Sequence, residues 1–302
     1  MSSAPVGRFA PTPSGRMHLG NVFAALIAWL SVRSQNGSLV LRMEDLDTQR
    51  TSADFAEILR SDLLWLGLNW DEETAPQSQR SGVYDRYFEK LMDEGLLYPC
   101  YCTRSQLHGV NAPHLSDGTY VYPGTCRNLQ SPPPGRSPSW RVIVPDKQWA
   151  FTDLVQGDYR LNLATECGDM VVRRADGVYV YQLAVTVDDG ESGVTEVVRG
   201  MDLLSSAPRQ MYLQEKLGFS HPVYGHVPML LAPDGRRLSK RDKDLDLGVL
   251  RQRLKPEELI GTLAFAAGLT DQNIPISAAE LATIFRWENL RGDAIYLDAS
   301  SL

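Results

Sequence analysis

Apolar positions along this chain fall into two spacings. Residues 6–10 form a short apolar run of buried-strand length, and Leu19 to Asn36 is apolar at helical length, with Gly37 as its stop. Ser38 to Met43 reads as a second strand that runs into the acidic cluster Glu44-Asp45-Leu46-Asp47, and Ser52 to Leu66 is an amphipathic helix closed by Gly67. Strand, helix, strand, helix predicts an α/β fold, the start of a Rossmann-like, doubly wound parallel sheet. Ligands of such sheets bind beyond the carboxyl ends of the strands. The segments Arg8 to Ser14 and Glu44 both leave strands at that edge.

Tyr84 to Gly95 is predicted to be a further helix. Periodicity is then lost: residues 98–140 are rich in Cys, Pro, Gly, Ser and Tyr, with a proline run at 132–134. Trp140 to Met170 is short and strand-like. Val171 to Asp189 reads as strand, turn (Ala175-Asp176-Gly177) and helix, and Val194 to Val198 as a buried strand ending at Arg199-Gly200. Ala207 to Leu217 is helical. So is the tail from Pro256, where proline in the first turn precedes Glu257 and Glu258. No internal repeat is visible.

Composition narrows the class. The 302 residues are 43% hydrophobic and 22% charged, which fits a globular enzyme rather than a disordered chain. A net charge of −7 counts against broad nonspecific nucleic-acid binding, but leaves a local basic segment with Arg236, Arg237, Lys240, Arg241 and Lys243. No apolar run approaches the roughly 20 residues of a membrane span, and the N-terminus lacks the pattern of an export signal. The expectation is a cytoplasmic monomer without a membrane partner, whose four cysteines are not a disulfide framework.

The richest stretch is Arg8-Phe9-Ala10-Pro11-Thr12-Pro13-Ser14-Gly15-Arg16-Met17-His18-Leu19-Gly20-Asn21. It delivers a histidine and unpaired backbone N–H groups to a helix start, where the helix dipole favours an anion. An imidazole there can stabilise charge that develops in phosphoryl chemistry. Far downstream, Arg237-Leu238-Ser239-Lys240-Arg241 follows Gly235 and precedes Asp-Lys-Asp, the composition of a loop that can close a lysine over a triphosphate. Cys100-Tyr101-Cys102 and Cys126 supply three thiolates for a tetrahedral metal site. Chemistry alone points to His108 or His114 as its fourth ligand. Cys167 is outside the pattern and is expected in the core.

The two basic signatures together resemble those of class I aminoacyl-tRNA synthetases. The glutamyl/glutaminyl branch is matched in order by Arg8 to Gly15 with His18-Leu19-Gly20-Asn21, by Leu41 to Asp47, by Tyr181-Gln182-Leu183-Ala184-Val185 through Asp188-Asp189, by Val198-Arg199-Gly200-Met201-Asp202-Leu203 and by the Ser-Lys segment. Only residues 241–302 follow Lys240, too few for a large anticodon-binding region, which resembles the truncated glutamyl-queuosine tRNA(Asp) synthetase family. The resemblance implies a catalytic core whose first half is 1–97, a zinc-binding, acceptor-type insert at 98–167, a second half at 168–245 and a small helical subdomain at 246–302. Its implied partners are L-glutamate, ATP and queuosine-modified tRNA(Asp), and its implied cofactors are one Zn2+ per chain and Mg2+ with ATP.

It also implies roles. His18 and Lys240 would be catalytic; His18, Gly20, Asn21, Arg237, Leu238, Ser239, Lys240 and Arg241 would hold ATP; Arg8, Phe9, Ala10, Pro11, Thr12, Glu44, Tyr181 and Arg199 would line the glutamate pocket. Cys100, Cys102, Tyr122 and Cys126 would bind zinc, since the family's Cys-x-Cys is followed by Tyr-x-x-x-Cys. Thr12, where serine is frequent, and Arg237, at the first position of the Ser-Lys segment, depart from the commonest forms. A minimal glutamyl-tRNA synthetase charging tRNA(Glu) and a non-catalytic RNA-binding remnant are the rival readings. A small-molecule nucleotidyltransferase would leave the cysteines unexplained.

Overall fold

The computed structural model describes residues 4–103, 106–107, 121–236 and 246–298. It opens with β1 (Val6–Phe9), α1 (Leu19–Ser34), β2 (Ser38–Leu41), α2 (Ala53–Trp65) and the two-residue strand β3 (Glu72–Glu73). Strands β1 to β3 pair in parallel in that order, with Val6 opposite Ser38 and Val40 opposite Glu72. After α3 (Ser81–Asp93) come β4 (Leu97–Cys100), β5 (Ser139–Val142), the hairpin β6 (Gln148–Asp153) and β7 (Gly157–Asn162), the short α4 (Leu163–Glu166), and β8 (Met170–Arg173). The parallel arrangement resumes with α5 (Tyr181–Glu191), β9 (Glu196–Gly200), α6 (Ser206–Leu217) and β10 (Val223–Val227). The Thr195 N–H donates to the Val6 carbonyl at 2.9 Å, so β9 and its partner β10 lie beside β1. The chain ends in β11 (Leu230–Leu231), α7 (Leu247–Arg253), α8 (Pro256–Ala266), α9 (Ala278–Ile284) and β12 (Ile295–Tyr296), with β11 and β12 parallel.

Alternation along β9 shows why the sheet is covered on both faces. Val198 joins the core formed with α1, α8 and α9, while its neighbour Val197 joins the core formed with α3, α5 and α6. Helix α1 sits deep in the first of these cores: eleven of its sixteen residues are buried, which explains its nearly unbroken apolar sequence. Leu259, Ile260 and Leu263 of α8 and Leu281 of α9 share that core, so the tail helices pack onto α1 directly. A third small cluster holds Tyr98, Cys100, Tyr122 and Cys126.

Two boundaries differ from the sequence expectation. Asn36, not Gly37, takes the left-handed conformation after α1 (φ 55°). Gly37 is needed for a different reason: a Cβ there would lie 2.3 Å from the Pro5 carbonyl oxygen, where the chain passes the start of β1. The strand expected at Val194 begins at Glu196, because Val194 still belongs to the turn that ends α5, its N–H bonded to the Asp189 carbonyl at 2.9 Å.

Candidate active site and metal centre

A cleft of ≈ 690 Å³ opens at the carboxyl ends of β1 and β9. Every residue expected to line a glutamate pocket borders it: Arg8, Phe9, Ala10, Pro11, Thr12, Glu44, Tyr181 and Arg199. His18, Gly20 and Asn21 border it too. His18 is the N-cap of α1 in extended conformation, and its side chain does not cap the helix. The ring lies over the first turn, since a Cβ on Gly20 would come within 3.1 Å of His18 Cε1. The helix start borders the cleft, where its dipole favours an anion. The expected Arg237, Leu238, Ser239, Lys240 and Arg241 lie outside the described residues. On either side of them, Leu230 lines the cleft and Asp246 forms a β-bridge with His18.

The charged side chains of the cleft rest on a buried network that sequence reasoning missed. Arg42 is fully buried; its Nη1 donates to Asp189 at 2.7 Å and its Nη2 to Glu44 at 3.2 Å, and its Nε lies 3.7 Å from Asp188. Arg8 Nε faces the other Asp189 oxygen at 3.5 Å, while its Nη1 donates to the Val198 carbonyl at 3.0 Å. Asp188 also accepts from Gln77, Arg80 and Tyr84. Burial pushes the Asp189 carboxyl up, but the Arg42 and Arg8 guanidiniums outweigh it and hold the group below the usual carboxylate range. Glu44 goes the other way: burial wins over the attraction of Arg42 and Arg8 and raises it. Glu44 meets Arg42 through one 3.2 Å contact and borders the cleft, so it is the carboxylate placed to meet a cation there. Burial also raises the Tyr181 phenol.

Arg199 is held on three sides. Its Nε donates to His226 Nε2 at 3.0 Å, Nη1 to Gln210 Oε1 at 2.8 Å and Nη2 to the Leu203 carbonyl at 3.2 Å. No local sequence signal links these residues: Arg42 and Asp189 are 147 positions apart.

The three expected thiols converge. Cys100, Cys102 and Cys126 place their sulfurs within 4.8 Å of one another, Cys102 and Cys126 at 3.5 Å, forming a group able to bind a metal. Tyr122 lies against this group, its Oη 3.5 Å from Cys100 Sγ and 3.6 Å from Cys102 Sγ. The phenol oxygen accepts the Cys126 N–H at 2.8 Å, and the Arg141 guanidinium stacks 3.7 Å from the ring centre. A tetrahedral zinc with Zn–S of about 2.3 Å and Zn–O of about 2.0 Å sets S···S edges near 3.8 Å and S···O edges near 3.5 Å. The 3.5 Å Cys102–Cys126 separation and the 3.5 and 3.6 Å Tyr122 separations lie close to those edges. His108 and His114, the alternatives from chemistry, lie outside the described residues. Cys167 is buried in the core under α5 and α6; its carbonyl accepts the Tyr122 N–H at 3.3 Å, but its thiol is not in the metal-binding group.

A doubly covered parallel sheet, with a helix start and opposed guanidinium and carboxylate groups at its carboxyl edge, defines a nucleotide-binding α/β enzyme with room for a small charged co-substrate. Residues 6–299 match the family model of the class I tRNA synthetases (E and Q), catalytic domain, and the chain belongs to that family. It is 45% identical to the glutamyl-Q tRNA(Asp) synthetase of Symbiobacterium thermophilum, over 98% of this chain and 97% of the relative. It is 43% identical to the glutamyl-Q tRNA(Asp) synthetase of Geobacter sulfurreducens, over 93% and 90%. Among solved structures, a glutamate tRNA ligase from Elizabethkingia meningosepticum in complex with its amino acid superposes with a TM-score of 0.85 at 26% identity, covering 99% of this chain and 68% of that one. Among the described residues no helix is long and apolar enough to cross a membrane.

Proposed function

We propose that this protein activates L-glutamate with ATP, without needing tRNA for that step, and transfers the glutamyl group to the queuosine base at the wobble position of tRNA(Asp). One observation carries the reading: Arg8 and Arg199 border the same cleft as Glu44, beside the start of α1. A planar guanidinium pairs with a carboxylate, and an under-compensated carboxylate pairs with an ammonium. Glutamate offers two carboxylates and one ammonium. The 45% identity to a glutamyl-Q tRNA(Asp) synthetase over nearly both whole chains, against 26% to a glutamate tRNA ligase, supports the modified base over the tRNA end as acceptor.

In this mechanism an α-carboxylate oxygen of glutamate attacks the α-phosphorus of ATP in line. The new O–P bond forms as the bond to the β-phosphate oxygen breaks, and pyrophosphate leaves. His18, at the start of α1, and Lys240 stabilise the charge on the transferring phosphorus. Neither has to act as a base, because the nucleophile is already ionised. Gly20, Asn21 and residues 237–241 hold the nucleotide, and Mg2+ accompanying ATP supplies phosphate charge neutralisation. A hydroxyl of the queuosine cyclopentene then attacks the glutamyl adenylate, an ester forms, and AMP leaves. Cys100, Cys102, Tyr122 and Cys126 would hold one zinc ion, whose bonds would supply structural cross-linking of the insert at 98–167. Residues 1–97 and 168–245 form the two halves of the catalytic domain, and 246–302 a helical subdomain. The protein works as a cytoplasmic monomer.

The test is mass spectrometry of the anticodon loop of tRNA(Asp) after incubation with ATP and glutamate. The expected result is a mass increase of one glutamyl residue on queuosine; glutamate on the 3′ end of tRNA(Glu) instead would support the rival reading. The metal is tested separately. Cys126→Ser removes one of three thiolates and is expected to lower bound zinc by at least about tenfold and to make the insert more open to proteolysis. Elemental analysis with limited proteolysis checks this, and full zinc retention in both Cys126→Ser and Cys100→Ser would sink the assignment.

A further inference from the structure

Arg199 owes its aim to a residue outside the motifs. We infer that His226 is a positioning residue for the amino-acid pocket: held as one neutral tautomer by Asp153, it fixes the Arg199 guanidinium so that the two N–H groups left over are presented to the substrate carboxylate. This rests on the reading of the cleft as a glutamate site.

The geometry dictates the tautomer. Arg199 Nε–H can only donate, so His226 Nε2, 3.0 Å away, must be a lone pair. The proton therefore sits on Nδ1, which meets Asp153 Oδ2 at 2.6 Å. Asp153 is itself locked: its Oδ1 accepts from the backbone N–H groups of Val155, Gln156 and His226, each at 3.0 Å. Asp153 and His226 are both buried, and neither borders the cleft. Among the described residues the Tyr224 ring stacks on the imidazole with its centre 6.0 Å away, and the Phe151 ring lies at 6.4 Å. Burial, together with the Arg199 and Arg8 charges, draws the imidazole down to about 4 against the upward pull of Asp153, in keeping with a neutral ring. With Nε, one N–H of Nη1 and one of Nη2 engaged by described residues, Arg199 has, among the described residues, one further N–H on each terminal nitrogen to offer a carboxylate.

Three variants test it. His226→Asn keeps a donor for Asp153 but offers Arg199 nothing, whereas His226→Gln reaches the Nε2 position with an acceptor. Asp153→Asn must keep its oxygen toward the three backbone N–H groups, so its amide NH₂ faces His226 Nδ1. That forces the proton onto Nε2 and sets it against Arg199 Nε–H, the tautomer switch seen when a triad aspartate becomes asparagine. In glutamate-dependent ATP–pyrophosphate exchange, His226→Asn and Asp153→Asn are expected to raise the KM for glutamate at least about tenfold, with the KM for ATP within about twofold; His226→Gln should stay within about threefold on both. Nitrogen-15 NMR should show Nδ1–H on His226 in the wild type and Nε2–H in Asp153→Asn. A protonated or Nε2–H ring in the wild type, or a glutamate KM that does not separate Asn from Gln, would overturn the inference alone. Absence of exchange in the wild type would overturn the functional reading and this inference with it.

Discussion

Lys240→Ala lowers the rate of glutamate-dependent pyrophosphate exchange by a factor of roughly 30 to 1,000, which is about 2–4 kcal/mol of transition-state stabilisation. The reasoning starts from charge. Adenylate formation brings a carboxylate against a triphosphate, and negative charge moves onto the departing pyrophosphate as the bond breaks. A lysine on a basic segment gains most from that movement, because its attraction strengthens between ground state and transition state. The KM for glutamate should change little, since Arg8, Glu44 and Arg199 remain in place around the cleft. Lys240→Arg should recover part of the rate by keeping the charge while altering its shape. His18→Ala, at the N-cap of α1, should cost a similar factor. Exchange at near wild-type rate in Lys240→Ala, with the protein folded, would remove Lys240 from the mechanism.

How much of this was readable beforehand depends on where the information sits in the chain. The turn at residues 8–21 was legible because a strand end, a glycine-proline turn and a helix start are contiguous, and the structure brings them to one cleft. The thiols were legible because Cys100 and Cys102 are nearly adjacent and a third lies within the same insert. Asn36 was misread because glycine is the usual left-handed stop and the close pass by Pro5 has no sequence signature. The support beneath the cleft was invisible for a different reason. Asp153 and His226 are 73 positions apart, and each taken alone is an ordinary polar residue at a strand end. Only the packing of the β6–β7 hairpin against β10, where the Leu154 N–H donates to the Tyr224 carbonyl at 2.9 Å, makes them a pair. Arg42 looked like a strand-end arginine beside Glu44; Asp188 and Asp189, from α5, make it the centre of a charge cluster.

Arg42→Met is the substitution expected to damage the fold most. The side chains are similar in length, so little packing volume is lost; what is lost is the cation. Asp189 would keep only the Arg8 contact at 3.5 Å, and Glu44 would lose its 3.2 Å partner, while both remain buried. Removing one partner from a buried ionic cluster costs about 3–5 kcal/mol, because the remaining charges stay desolvated. The pH dependence has a definite sign. In the wild type Asp189 is held below its ordinary value, so its contribution is present above the unfolded-state value and is lost as pH falls through the folded one. In the variant, burial unopposed by Arg42 raises Asp189, and raises Glu44 further than in the wild type. The folded variant then binds more protons than its unfolded chain, and its stability falls as pH rises between the two values. Urea unfolding should therefore show a deficit that is larger at about pH 8 than at about pH 5. Glutamate affinity should fall in parallel, because Glu44 would lose the Arg42 contact that holds it at the cleft. A deficit below about 1 kcal/mol that is the same at both pH values would mean that the cluster is not ionised in the way its geometry requires.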